Sequence, residues 1–280
     1  MVIISVVRDF DMYHRLVRDN RFNQGASFYP IDNREKNEAV PLCYNRFLDG
    51  YDYSKEAWLV FCHEDWEILE PWQKRFDELD KESLYGPVGV RVVGRKRMVL
   101  GQIKNSMKDG SGCRLVGIDF PTGTVLGTFD CQCVIVHSSL IARTGLRFDL
   151  NLVFDLYVEE FCMQAREKFG ILSRVFALSC QHYSFGNLQP RFYKAVDHVR
   201  RKHPKLKHCY STTATKVLMG PINLFEMFQI EKELRHSIFM RYIYFEKITR
   251  SNHHLVKIFK IPVRHRKCSP GEKDAFLKKN

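Results

Sequence analysis

His63, Glu64 and Asp65 follow directly on the apolar run Trp58-Leu59-Val60-Phe61-Cys62. An unbroken run of that kind reads as a strand buried on both faces. In open α/β folds the carboxyl end of such a strand is the edge where ligands bind. A carboxylate there, with an imidazole two residues before it, offers the donor types that hold a divalent cation against a phosphorylated ligand. Asp65 is the first candidate ligand and His63 its partner, whereas Glu64 points to the opposite face and is expected to be a bystander. The plainer reading is that three polar residues end a strand in water. A zinc-protease helix is excluded, because the second histidine is missing at the required spacing.

Two further groups carry titratable chemistry. Glu159 and Glu160 fall on a helix expected over residues 155–168. Neighbouring side chains on a helix diverge by about 100°, so one of the two faces a site and could act as general base toward a hydroxyl. A solvated helix face is the alternative. His182 follows an expected strand at 171–178 and could complete a metal site or touch a phosphate, or be structural. There is no Walker A, G-x-G-x-x-G or G-x-S-x-G sequence, which argues against P-loop, Rossmann and α/β-hydrolase readings.

The elements that must position these groups read as follows. Residues 2–7, 27–31 and 57–62 are strand-like, 11–20 and 37–51 are helical, and Pro71 opens a helix through Leu79. Strands alternating with helices imply a parallel sheet. Residues 94–127 contain seven glycines and no sustained period, and read as loops and short strands, a lid or an acceptor-side insertion. Residues 130–136 are again strand-like. After residue 188 the pattern becomes helical and basic, with helices expected at 189–202 and 221–249 and a short apolar, basic segment near 254–260.

The chain has 280 residues, enough for one large α/β domain with an appendage, and its apolar content argues against disorder. The first residues lack a signal-peptide pattern, and no apolar run is long enough to span a bilayer. The nine cysteines include no C-x-x-C pair. Cys131 and Cys133 read as packing rather than zinc ligands, and reduced thiols in the cytoplasm are the default. Charge is uneven: after residue 188 there are 21 Lys and Arg against 7 Asp and Glu, leaving 23 against 25 before it. The basic tail, with Tyr and Phe among its cations, fits an amphipathic surface on anionic lipid, helices packed on the preceding domain, or a dimer contact. A nucleic-acid-binding protein is disfavoured, because it leaves the acidic groups of the first two thirds without a role.

Five motifs recur in order. Tyr44-Asn45 lies on a helix, Phe61-Cys62-His63-Glu64-Asp65 ends a strand, and Phe148-Asp149-x-x-Leu152 forms a turn. Tyr157-Val158-Glu159-Glu160-Phe161-Cys162-Met163-Gln164-Ala165 lies on a helix, and His182-x-x-x-Gly186 closes the set. Together, over residues 2–186, they resemble the family 2 glycosyltransferases of GT-A fold, in the StrF-like branch. The resemblance implies an α/β fold with a mostly parallel sheet flanked by helices, and with the change of pattern after residue 188 it makes 1–188 the nucleotide-sugar-binding and catalytic domain and 189–280 a basic helical extension. It implies transfer of a sugar from a UDP-type nucleotide donor to a glycan or lipid-linked glycan, with inversion, the alternative being a non-catalytic protein of this fold that only binds sugar nucleotides. The cysteines and the basic tail place it in the cytoplasm or on the inner face of a membrane. Arg8, Asp9, Asp32 and Asn45 would approach the donor. Asp65, with His63 and His182, would hold manganese or magnesium, and Glu160, or Glu159 one position earlier, would be the base. Two positions depart from the family pattern: His-x-Asp stands in place of Asp-x-Asp, and glutamate in place of the catalytic aspartate.

Overall fold

The computed structural model describes residues 1–93, 96–185 and 190–204, together with three-residue strands at 208–210, 216–218, 256–258 and 261–263. Residues 1–223 form one compact unit and 224–280 a second. The chain opens as β1 (Val2–Val7), α1 (Phe10–Tyr13), β2 (Ser27–Asp32), α2 (Val40–Gly50) and β3 (Trp58–Cys62). The short strands β4 (Trp66–Ile68) and β5 (Leu84–Gly86), the hairpin β6 (Val88–Val93) and β7 (Lys96–Gly101), and then β8 (Ile103–Asn105), β9 (Arg114–Val116), β10 (Val125–Leu126) and β11 (Thr128–Phe129) lead to β12 (Cys133–His137). The unit continues with α3 (Ser138–Thr144), α4 (Tyr157–Phe169), β13 (Ser173–Val175), β14 (Cys180–His182) and α5 (Pro190–Lys202).

Seven strands form the central sheet in the order β10-β13-β5-β12-β3-β1-β2. As the opening alternation requires, β1 runs parallel to both β2 and β3. As expected the sheet is mostly parallel, with β2, β1, β3, β5 and β13 sharing one direction; β12 lies antiparallel to β3 and β5, and β10 antiparallel to β13. The expected helix after Pro71 is a single 3₁₀ segment, Gln73–Glu78. Residues expected as loops and short strands at 94–127 supply β7 through β10, and β8 and β9 join β4 and β14 in a second sheet.

Side-chain alternation along β3 divides the core in two. Leu59 and Phe61 pack with Tyr44, Phe47, Phe148, Tyr157 and Phe161, whereas Val60 and Cys62 face Tyr13, Trp66, Trp72 and Phe176. Helix α2 buries Val40, Cys43, Tyr44, Phe47 and Leu48, an i, i+3, i+4, i+7, i+8 stripe, and all but Cys43 belong to the first cluster. Pro41 sits in its first turn, where an amide proton is dispensable. Helix α4 ends at Gly170, whose left-handed φ of 69° lets its N–H return to Ala165 and Arg166 carbonyls. Helix α5 lies beyond the expected boundary at 188, yet Phe192, Ala195 and Val199 are part of the first core cluster. The expected helix at 221–249 lies outside the described residues. Val256–Ile258 pairs antiparallel with Ile261–Val263 in the second unit. Among the described residues no helix is long and apolar enough to cross a membrane.

One side chain holds α2 to the turn before α4. Asn45 Nδ2 donates to the Phe148 carbonyl at 2.8 Å, and its Oδ1 accepts from the Phe148 amide at 2.9 Å. Both partners are buried, so Asn45→Ala strands two backbone groups without water and is expected to cost about 2–4 kcal/mol, read from urea denaturation. A loss under about 0.5 kcal/mol, the size of a neutral surface change, would contradict this bridge.

Candidate functional site

Three side chains meet beyond the carboxyl end of β3. After Cys62 the His63 amide donates to the Gln132 carbonyl at 3.0 Å, and the Trp66 amide donates back to the His63 carbonyl, turning the chain into β4. His63 and Asp65 lie on this turn. His182 arrives on β14, which pairs antiparallel with β4 so that His182 stands opposite Trp66. The Tyr183 amide donates to the Asp65 carbonyl at 2.9 Å and closes the arrangement. The ladder register therefore brings His182 to Asp65.

His182 Nε2 lies 3.2 Å from Asp65 Oδ1, and His63 Nδ1 lies 3.9 Å from the same oxygen. One donor atom from each of the three falls within 4.8 Å of the others. His182 Nε2 is buried and faces the Asp65 carboxylate. Two donor atoms facing each other this way suit a shared cation, since ligands bonded at about 2.1 Å sit about 3.0–3.5 Å apart at ordinary coordination angles. A pair at the 4.8 Å limit has to close by about 1.3 Å to reach that separation. Two imidazoles and a carboxylate fit manganese, iron, cobalt or zinc better than the all-oxygen preference of magnesium.

The electrostatics are consistent with that grouping. Burial pushes His63 down to about 4 despite Asp65 beside it, so it is a neutral imidazole at physiological pH. Burial also opposes charge on Asp65 and on His182, but here their mutual attraction prevails. Asp65 is held well below the ordinary carboxylate value, and His182 is raised by Asp65 and, more weakly, by Asp130.

The neighbouring strand ends carry the residues expected at a donor. Asp9 caps α1, its carboxylate accepting from the Met12 amide at 3.0 Å, with Lys108 Nζ at 4.0 Å. Asp32 ends β2, half exposed, and pairs with Arg34 at 2.6 Å. Arg8 is exposed at the end of β1. Glu64 is no bystander: its Oε2 accepts from the backbone amides of Arg8 and Asp9, tying the end of β1 to the end of β3. Asn45, expected on the donor, has both ends of its amide committed to Phe148.

Glu160 is fully buried and faces α5. Its Oε1 lies 2.6 Å from Lys202 Nζ and 3.2 Å from His203 Nε2. Lys202 also reaches Asp149 Oδ2 at 2.7 Å, which accepts from His198 at 2.8 Å, and His203 Nδ1 meets Glu167 at 2.6 Å. This cluster fastens α4 and its preceding turn to α5. Glu159, also buried, lies on the side of Cys131 and Tyr157, where it adds to burial in raising the Cys131 thiol.

No protein-family model matches the chain, and no curated protein matches it. Among solved structures it is similar to GalNAc-T7, crystallised with UDP, GalNAc and Mn2+, at 9% identity and a TM-score of 0.46 over 72% of this chain. It is also similar to S. aureus TarS, at 12% identity and 0.39 over 72%, and to A197 from STIV, at 13% identity and 0.34 over 79%. The chain spans 48% of the GalNAc-T7 structure and 39% of TarS, against 94% of A197.

Spacing along the sequence points to His63 and Asp65 but not to what surrounds them. Phe154 stacks on the His63 ring at 5.3 Å and 28°, and the Tyr157 phenol meets His63 Nε2 at 3.1 Å. Arg191 of α5 lies over Phe154 at 4.9 Å and bonds Asp155 at 2.7 Å, so the helix after residue 188 reaches the ring that backs His63. No short-range pattern announces these long-range contacts.

The α4–α5 cluster predicts a signed pH effect. Burial disfavours a charged His203, but Glu160 and Glu167 override it and raise its value above 6.5. A group raised on folding contributes stability in full below the unfolded value and loses it as pH rises through the folded one. The urea stability of the wild type relative to His203→Gln is therefore expected to decline from pH 6.5 upward. A difference that stays flat with pH would show that His203 is docked as the neutral ring.

Proposed function

We propose that this chain is a divalent-metal-assisted glycosyltransferase that moves a sugar from a UDP-type donor to a hydroxyl of a glycan or lipid-linked glycan. The observation that carries the reading is the convergence of His63, Asp65 and His182 at the carboxyl end of a buried central strand. There a bound cation would neutralise the diphosphate and stabilise it as a leaving group. The protein's own contribution is positional. Asp65 and the two imidazoles would hold the ion, Glu64 fixes the adjoining loop by its backbone amides, and Asp9, Arg8 and Asp32 line the strand ends on the donor side.

Of the two glutamates, Glu159 is the better placed to receive the acceptor proton. It lies on the side of Tyr157 and Cys131, whereas Glu160 is held between Lys202 and His203 and serves the docking of α5. Attack by the deprotonated hydroxyl on the anomeric carbon, with the nucleoside diphosphate leaving from the opposite side, would invert configuration. Two nitrogen ligands favour manganese over magnesium here.

The test is thermal stabilisation by UDP with and without Mn²⁺, followed by transfer assays. With UDP at about 100 times its dissociation constant, stabilisation of about 2.7 kcal/mol is expected, dependent on Mn²⁺ and absent in Asp65→Asn, whose unliganded melting stays near the wild type. Metal affinity should weaken as pH falls, since the proton held by His182 competes with the ion. Stabilisation by UDP without any metal dependence would refute the cation role. Binding with neither donor hydrolysis nor transfer would leave a sugar-nucleotide-binding protein. In the same assays Glu159→Gln is expected to lower kcat by about 10²-fold or more with little change in donor KM, whereas Glu160→Gln lowers stability. The reverse pattern would return the base to Glu160.

A further inference from the structure

We propose that Tyr157 is a positioning residue for the cation site: its phenol fixes His63 as the Nε2–H tautomer, so that Nδ1 turns its lone pair toward Asp65 and His182. This rests on reading those three side chains as a cation site.

The argument is one of proton counting. The Tyr157 hydroxyl is buried and donates to the Cys131 carbonyl at 2.8 Å. A carbonyl only accepts, so the single phenolic proton is committed there. The same oxygen lies 3.1 Å from His63 Nε2. Were Nε2 bare, two lone pairs would face each other out of reach of water, which is costly. Nε2 therefore carries the hydrogen and donates it to the phenol. An imidazole that ligates a cation has one proton only, which leaves Nδ1 bare, and Nδ1 is the atom 3.9 Å from Asp65 Oδ1.

The rest of the surroundings hold this geometry in place. Cys131 immediately precedes Gln132, whose carbonyl accepts the His63 amide at 3.0 Å, so the acceptor that orients the phenol is tied to the imidazole's own backbone. The nearby Tyr44 hydroxyl donates to the Cys62 carbonyl at 3.3 Å, which gives it an acceptor other than the Tyr157 oxygen. Phe154 stacks on the face of the ring and fixes its plane. Tyr157 is the first residue of α4 and follows Leu156, which takes the left-handed φ of 60° and turns the chain into the helix. Outer partners of metal-bound histidines fix tautomer and orientation, and losing one weakens metal affinity by about 10–100-fold.

The experiment uses the full chain, Tyr157→Phe and Mn²⁺ alone. Phenylalanine keeps the ring and removes only the hydroxyl. Calorimetric titration is expected to show Mn²⁺ binding weakened at least about tenfold. Nitrogen-15 spectra of labelled histidines, with His63 assigned by its loss in His63→Gln, are expected to show the Nε2–H form in the wild type and a mixture of tautomers in the variant. A wild-type His63 protonated on Nδ1, or an Mn²⁺ affinity and tautomer unchanged in Tyr157→Phe, would overturn the role of Tyr157. Because the spectrum is read on the wild type, the proposal stays testable if the variant folds poorly. A wild-type chain that binds no Mn²⁺ at all would overturn the cation-site reading itself, and this proposal with it.

Discussion

The pairing of β14 with β4 decides where His182 goes, and the site depends on that register. Strand side chains alternate between faces, so a slip of one residue would carry His182 to the far side of the small sheet and bring Gln181 or Tyr183 to Asp65. Several backbone bonds resist the slip. The Ser106 amide donates to the His182 carbonyl at 3.0 Å, and the Tyr183 amide to the Asp65 carbonyl at 2.9 Å. Burial of Trp66 and Cys180 on the core side adds a hydrophobic penalty to any alternative alignment. A small ladder between short strands thus fixes a constellation whose members lie far apart in sequence.

Burial of charge is the second constraint. Glu160 and Asp149 are enclosed in an apolar core, and isolated carboxylates there would be strongly destabilising. Lys202, His198 and His203 of the α5 region supply the compensating donors. The helix is therefore tied to α4 and the turn before it by chemistry that neither part can satisfy alone. Through Arg191 and Phe154 the same helix backs the imidazole of His63, which makes it part of the site's support.

Legibility followed the range of the interactions. The strands β1 and β3 and the helix α2 are plain in the sequence because local signals agree: continuous apolar runs, a stripe at helical spacing, a proline in a first turn. His63 and Asp65 were readable because a strand end and an x+2 spacing are local too. The strands β4 to β6 and β11 were not, and β7 to β10 only as short strands without assigned partners, since pieces of two to six residues take their identity from distant pairing. Glu64 reads as a solvated charge until the β1 loop is seen to lie over it. Lys202 and His203 look like the wet face of a basic helix, because nothing nearby reveals buried carboxylates against them. Tyr157 belongs to a recognisable helix motif, yet its bond to His63 exists only in three dimensions.

The edges of the central sheet carry a consequence for association. Among the described residues β2 is the outermost strand on one side, and it contains Pro30, which has no amide proton to offer a newcomer. On the other side β10 is two residues long. Strand addition, a common route to edge-to-edge aggregation, is thus opposed on one rim by a proline and on the other by shortness. For two copies of this chain that meet, joining strand to strand along the central sheet is therefore the disfavoured arrangement.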